Sequence, residues 1–116
     1  MKAIVLDTNF LVYCVKFRID LFSEIQRICN FKYKICILDS TIKELEKIKP
    51  KELSLIKKYI EKIEVINAKK ENVDEELIDL SKKDCIIATQ DLALKKQLKE
   101  AVIIIRQKRY LELKNH

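Results

Sequence analysis

At 116 residues the chain has the size of one ordinary domain, and its 36% charged and 48% hydrophobic residues are a globular balance. Glycine is absent, which excludes a phosphate-cradling glycine loop or a dinucleotide fingerprint, and the one histidine is the last residue, His116, which all but excludes Ser-His or Cys-His nucleophiles and a His-rich metal site. The net charge of +6 fits a polyanionic partner and a solvated Lys-rich surface equally well.

Lys2 to Leu6 is apolar without alternation and stops on Asp7. Such a run predicts a strand buried on both faces, as in the centre of a parallel sheet, and it places Asp7 at the strand's carboxyl end, where open α/β sheets bind ligands. Phe10 to Phe17 and Leu21 to Cys29 read as two short helices broken near Arg18 to Asp20. Tyr33 to Leu38 is a second apolar run that again ends on an acid, Asp39. A helix from about Thr41 to Ile48 is closed by Pro50, and Leu53, Ile56, Tyr59, Ile60 and Ile63 mark another. Glu64 to Ile66 is a short strand, and Lys69 to Asn72 the most polar linker.

Asp74 to Lys82 is predicted helical, Cys85 to Thr89 a strand, and Asp91 opens a helix carrying Leu92, Leu94 and Leu98. Val102 to Ile105 is the next strand, and about 106–116 is an edge strand or a tail. The alternation predicts a single three-layer α/β domain over 1–116, with a mostly parallel central sheet and helices on both faces. No charged-then-apolar leader is visible, and no apolar stretch approaches the roughly 20 residues of a membrane span, so a soluble cytoplasmic protein with no membrane partner is expected. Cys14, Cys29, Cys36 and Cys85 lie singly in apolar segments, as buried free thiols in a reducing compartment would.

Charge is uneven along the chain. Residues 74–91 hold six acids against two lysines, a balance of −4, whereas 92–116 hold seven Lys/Arg against two Glu, a balance of +5. An acidic stretch followed by a basic one suits a cation site beside a polyanion-binding surface. Asp7, Asp39 and Asp91 each stand where a strand hands over to a helix, while Glu44 and Asp74 lie in first turns of helices. Taken singly, each is better explained as a cap: Asp7, Asp39 and Asp91 as N-caps, Thr41 with Glu44 as a capping box, Asp74 as a dipole partner.

Helical geometry separates some of these acids. On the helix from 74, Val73, Leu77, Ile78 and Leu80 define the apolar face, with Asp74 about 60° from its centre and Glu75, Glu76 and Asp79 further away. On the helix from 41, Ile42, Leu45 and Ile48 define the buried face, and Glu44 and Glu46 border it equally. Carboxylates gathered at one sheet edge repel one another unless a cation holds them or their pKa values rise. Oxygen-only ligands favour hard ions such as Mg²⁺ or Mn²⁺, which support phosphodiester hydrolysis without a side-chain nucleophile.

Four pieces of the chain resemble the PIN-domain nucleases, especially the small VapC-like and ribosome-biogenesis types. They are Val5-Leu6-Asp7-Thr8-Asn9-Phe10-Leu11, Thr41-Ile42-Lys43-Glu44-Leu45-Glu46-Lys47, Val73-Asp74-Glu75-Glu76-Leu77-Ile78 and Ile87-Ala88-Thr89-Gln90-Asp91, in order and at suitable separations. The resemblance implies that Asp7, Glu44, Asp74 and Asp91 are the catalytic, metal-binding acids, preferring Glu44 over Glu46, with Thr8, Asn9 and Thr89 in support. It implies a Mg²⁺- or Mn²⁺-dependent endoribonuclease, often a homodimer: a toxin with an antitoxin partner, or a stable-RNA processing enzyme with ribosome-assembly partners. A non-catalytic RNA-binding or assembly module on the same fold is the alternative. Lys95, Lys96, Arg106, Lys108 and Arg109 are candidates for RNA phosphate contact on charge and position. The chain departs from the pattern at Asp84, where glycine is common, and at Asp39, where a small or apolar residue is. For Asp84 capping or solubility is the preferred reading; Asp39 fits that or an altered metal preference.

Overall fold

In a computed structural model, which describes residues 1–115, six strands alternate with six helices. They are β1 (Lys2–Leu6), α1 (Thr8–Lys16), α2 (Leu21–Ile28), β2 (Tyr33–Leu38), α3 (Asp39–Ile48), α4 (Leu53–Ile60), β3 (Glu64–Ile66), α5 (Val73–Ser81), β4 (Cys85–Ala88), α6 (Leu92–Gln97), β5 (Val102–Arg106) and β6 (Tyr110–Lys114). The strands form one sheet in the order β3-β2-β1-β4-β5-β6. All neighbours are parallel except β5 and β6. The sheet is thus mostly parallel with helices on both faces, and residues 110–114 are its antiparallel edge strand. His116, the end of the expected domain, lies outside the described residues.

Successive strand residues point to opposite faces, which explains why β1 is apolar throughout. Ile4 and Leu6 pack with Ile37 and Ile103 against Phe10, Leu11, Ile25, Leu45 and Ile56 of the first four helices. Ala3 and Val5 pack with Leu38, Ile87 and Ile104 against Leu77 and Leu94 of α5 and α6. All four cysteines are free; burial pushes the thiols of Cys14 and Cys36 up to about 12, at Cys36 with help from Glu64, so neither is a ready nucleophile. Among the described residues no helix is long and apolar enough to cross a membrane.

Two local expectations are corrected. The third helix starts at Asp39, two residues early, with Leu38 as an N-cap that makes no side-chain bond. Thr41 is therefore inside the helix, buried with an unpartnered hydroxyl, and the Thr41–Glu44 capping box does not form. The buried face of α3 is Thr41 and Leu45, whereas Ile48 is 52% exposed. On α5 the buried side contains Glu76, and Asp74 is exposed, the reverse of the expected order. Glu76 stands one turn from both Val73 and Leu80, and the chain before the helix folds back over it, giving its carboxylate the backbone amide of Lys69 to accept from.

Without glycine, five ordinary residues take positive φ: Arg18, Lys49, Asp84, Gln107 and Lys108. Gln107 and Lys108 adjoin in the β5–β6 turn, where the Arg109 amide donates to the Arg106 carbonyl at 3.0 Å. That is the mirror-image turn whose twist matches a hairpin.

Candidate active site

The chain builds outward from β1 through β2 to β3, then returns to the other side of β1 with β4. The crevice of an open α/β sheet lies where that order reverses, beyond the carboxyl ends of the two strands. Asp7 follows β1 there, and its amide donates to the Ala88 carbonyl at the end of β4, 2.9 Å away. The neighbouring residues Thr89, Gln90 and Asp91 leave β4 at the same edge.

The Asp7 carboxylate is buried, 8% exposed, and both oxygens have partners. Oδ1 accepts from the Thr8 amide at 2.8 Å, and Oδ2 accepts from the Thr89 hydroxyl at 2.7 Å. The Thr89 oxygen in turn accepts from the Asp91 amide at 3.1 Å, so one fully buried hydroxyl links two acids. Asp91 Oδ1 accepts from the amides of Ala93 and Leu94 at 2.9 and 3.1 Å, capping α6 and leaving Oδ2 free of these bonds. The cap reading and the site reading are therefore compatible in both residues.

Burial is the main cause that raises the Asp7 carboxyl above the ordinary carboxylate range, and the charges of Asp74 and Asp91 raise it further. The bonds from Thr89 and Thr8 oppose that rise. The structure thus brings Asp7, Asp74 and Asp91 into one electrostatic group. Glu44, half-buried on α3 where Glu46 is exposed, is not among the main groups that shift Asp7. Thr8 is buried with an unpartnered hydroxyl beside Asp7, and Asn9 is exposed in the first turn of α1.

Among the described residues no three acidic, His or Cys side chains already stand at metal-ligand spacing. The donor chemistry nonetheless fits a hard cation. The set is oxygen only, one member is buried, and its neighbours' charges act against its ionisation, a conflict that a divalent ion bound through a few carboxylates and water relieves.

The expected RNA contacts lie on α6 and on the β5–β6 hairpin. Lys95 is half-buried on α6, and burial, with Lys114 and Arg106 adding, holds it below the ordinary lysine range. Lys96 and Arg109 are exposed, Arg106 Nε donates to Glu112 at 2.8 Å, and Lys108 lies 5.5 Å from the centre of the Phe17 ring. Two carboxylates outside the expected site bind backbone amides of the segment before α5: Glu76, and Asp39, which is the first residue of α3 rather than its expected N-cap. Neither bond has a signal on its own helix: the wheel sets Glu76 away from the apolar face, and the amides that the two acids bind lie 7 and 29 residues away in sequence.

The site and fold define a class of protein, small α/β domains with acids at the switch point, and the family follows from comparison with known proteins. The PIN like domain family matches residues 4–109, and the chain belongs to that family. Ribonuclease VapC4 of Methanocaldococcus jannaschii is 35% identical over 127 aligned positions, which cover 97% of this chain and 97% of that protein. The solved structure of the PIN domain endonuclease Utp24 superposes with a TM-score of 0.83, covering 98% of this chain and 92% of that one; at 21% identity that likeness concerns the fold.

Proposed function

We propose that this protein is a metal-dependent endoribonuclease whose Mg²⁺ or Mn²⁺ is held by Asp7, Glu44, Asp74 and Asp91. The observation that carries the reading is the buried Asp7 carboxylate at the sheet's switch point, joined through the Thr89 hydroxyl to the Asp91 amide and raised chiefly by its burial, with the charges of Asp74 and Asp91 adding. The relative named a ribonuclease, matched over nearly its whole length, supports the activity. When bound, the ion supplies electrophilic polarisation for hydrolysis of the phosphodiester.

The chain's own residues do the rest. Asp7 and Asp91 are held in place by the Thr89 hydroxyl and by helix-terminal amides, so their geometry is set before substrate arrives. Thr8 and Asn9 support the acids from α1. Lys95, Lys96, Arg106, Lys108 and Arg109 offer phosphate contacts that orient the RNA without reading its sequence. We further propose a cytoplasmic homodimer serving either as the toxin of a toxin–antitoxin pair or in stable-RNA processing with a ribosome-assembly partner. Growth arrest on expression that vanishes in Asp7→Asn is expected of the toxin, and unaffected growth with an active enzyme speaks against it.

The decisive assay incubates the protein with a mixed RNA pool, with Mn²⁺ or with chelator, beside Asp91→Asn. Cleavage that needs Mn²⁺ and is lost in the variant is expected. Chelator-insensitive cleavage, or an equally active variant, overturns the mechanism. Binding without any metal-dependent cleavage favours the non-catalytic module.

A further inference from the structure

The segment between β3 and α5 is fixed by carboxylates from two helices. Asp39, the first residue of α3, accepts from the Ala68 amide at 2.9 Å as well as from the Ser40 amide at 2.8 Å. Glu76, buried on α5, accepts from the next amide, that of Lys69, at 2.5 Å. The bond from Ala68 is the largest reason that the Asp39 carboxyl lies below the ordinary range. Surface segments of this kind are ordinarily mobile; here two consecutive amides are held between the helix bearing Glu44 and the helix bearing Asp74.

What the held segment presents is positive charge. Lys69 and Lys70 are exposed on it, and with Lys43 of α3 they line a cavity of about 370 Å³ whose wall also carries Ser40 and two acids, Asp39 and Glu71. None of the three lysines is in an ion pair among the described residues, whereas Arg106 is paired with Glu112. Of the two acids on the wall, Asp39 turns an oxygen to the backbone amides, and with Glu71 counted the three lysines still leave an excess of positive charge. The cavity opens at the carboxyl edge of the sheet, and with strands about 4.8 Å apart, the ends of β3 and β1 are separated by roughly 10 Å. The α6 and β5–β6 cations flank the opposite side, so a strand touching both crosses the acids.

We infer that Lys43, Lys69 and Lys70 form a subsite for the phosphate backbone of single-stranded RNA on the β3 side of the acid site, preorganised by Asp39 and Glu76. The subsite rests on the ribonuclease reading and deepens it. It gives affinity and register without base readout. Binding to a preordered segment also avoids the ordering of the loop at the moment of contact.

The test measures the affinity of the full chain for a single-stranded RNA oligonucleotide in chelator, as a function of salt. The triple variant Lys43→Ala, Lys69→Ala, Lys70→Ala is compared with Lys57→Ala, Lys58→Ala, Lys62→Ala, which removes the same charge from exposed positions on and just after α4. Each phosphate contact contributes about 0.7 to the salt slope on single strands, so the first variant is expected to flatten it by about 2 and to lose roughly tenfold or more in affinity. The control is expected to keep the slope. In the Mn²⁺ reaction the first variant raises KM and leaves kcat at saturating RNA unchanged.

Asp39→Ala separates preorganisation from net charge. Loss of an acid beside three lysines tightens RNA binding if charge alone acts, whereas loss of the held segment weakens it, by roughly three- to fivefold. Asp39→Asn keeps an acceptor oxygen and is expected to restore binding. Equal losses in the two triple variants, or tighter binding by Asp39→Ala, overturn the subsite while leaving the ribonuclease reading intact. Wild type that neither binds nor cleaves RNA overturns both.

Discussion

A buried carboxylate flanked by two others works against folding, and Asp7 shows that conflict in one residue. Its folded carboxyl is raised, so its contribution to stability is fully present below the ordinary aspartate range and is lost as pH rises through the raised folded value. Asp7→Asn is therefore expected to melt above wild type in chelator at neutral pH, with the gap closing as pH falls to about 4, while cleavage drops by at least ~10²-fold. Paired thermal melts across pH and an RNA cleavage assay check both halves. Thr89→Val keeps the shape but strands Asp7 Oδ2 and the Asp91 amide. A loss of 10- to 100-fold, roughly, in Mn²⁺ affinity is expected from titration, with about 1–3 kcal/mol of stability lost to denaturant. Asp7, Thr89 and Asp91 were legible in the sequence because strand ends are where an apolar run meets a polar residue. The burial of Glu76 was not, because a helical wheel gives an angle but not the segment that folds over it.

At the scale of elements, strands were easier to place than helix ends. An apolar run leaves little choice over where β1 and β2 lie, whereas α3 begins on Asp39, whose carboxylate accepts from the Ser40 and Ala68 amides, the second of which lies 29 residues away. A partner so distant in sequence leaves no local mark. The missing glycines show a related effect: Lys49 closes α3 at φ 45° and Asp84 precedes β4 at φ 56°, both in the left-handed region. A side chain there crowds the following carbonyl, so Lys49→Gly is expected to stabilise by up to about 1 kcal/mol in chemical denaturation. Asp84→Gly gains less, since Asp84 also accepts from Lys2 at 2.9 Å. That bond gives Asp84 a structural occupation at the end of the sheet opposite the acids.

The alternation of strands and helices implied a parallel sheet, but not its order, because each crossover can step to either side of the strand before it. The order β3-β2-β1-β4-β5-β6 makes β1 and β4 neighbours and opens the crevice between Asp7 and Asp91. It also sends the segment after β3 across the carboxyl edge to α5, bringing Asp74 within electrostatic reach of Asp7. Because repulsion among these acids is a property of the folded chain alone, a cation that relieves it binds the folded state in preference to the unfolded one. Mn²⁺ at about 100 times its dissociation constant then stabilises the fold by roughly 2.7 kcal/mol, on the order of 10 °C in melting temperature for a domain of this size. A melt of wild type against Mn²⁺ is expected to rise logarithmically with concentration and to reverse on chelation, while Asp91→Asn responds only at higher Mn²⁺. Equal responses from wild type and the variant would place the ion elsewhere on the surface and remove Asp91 from the site.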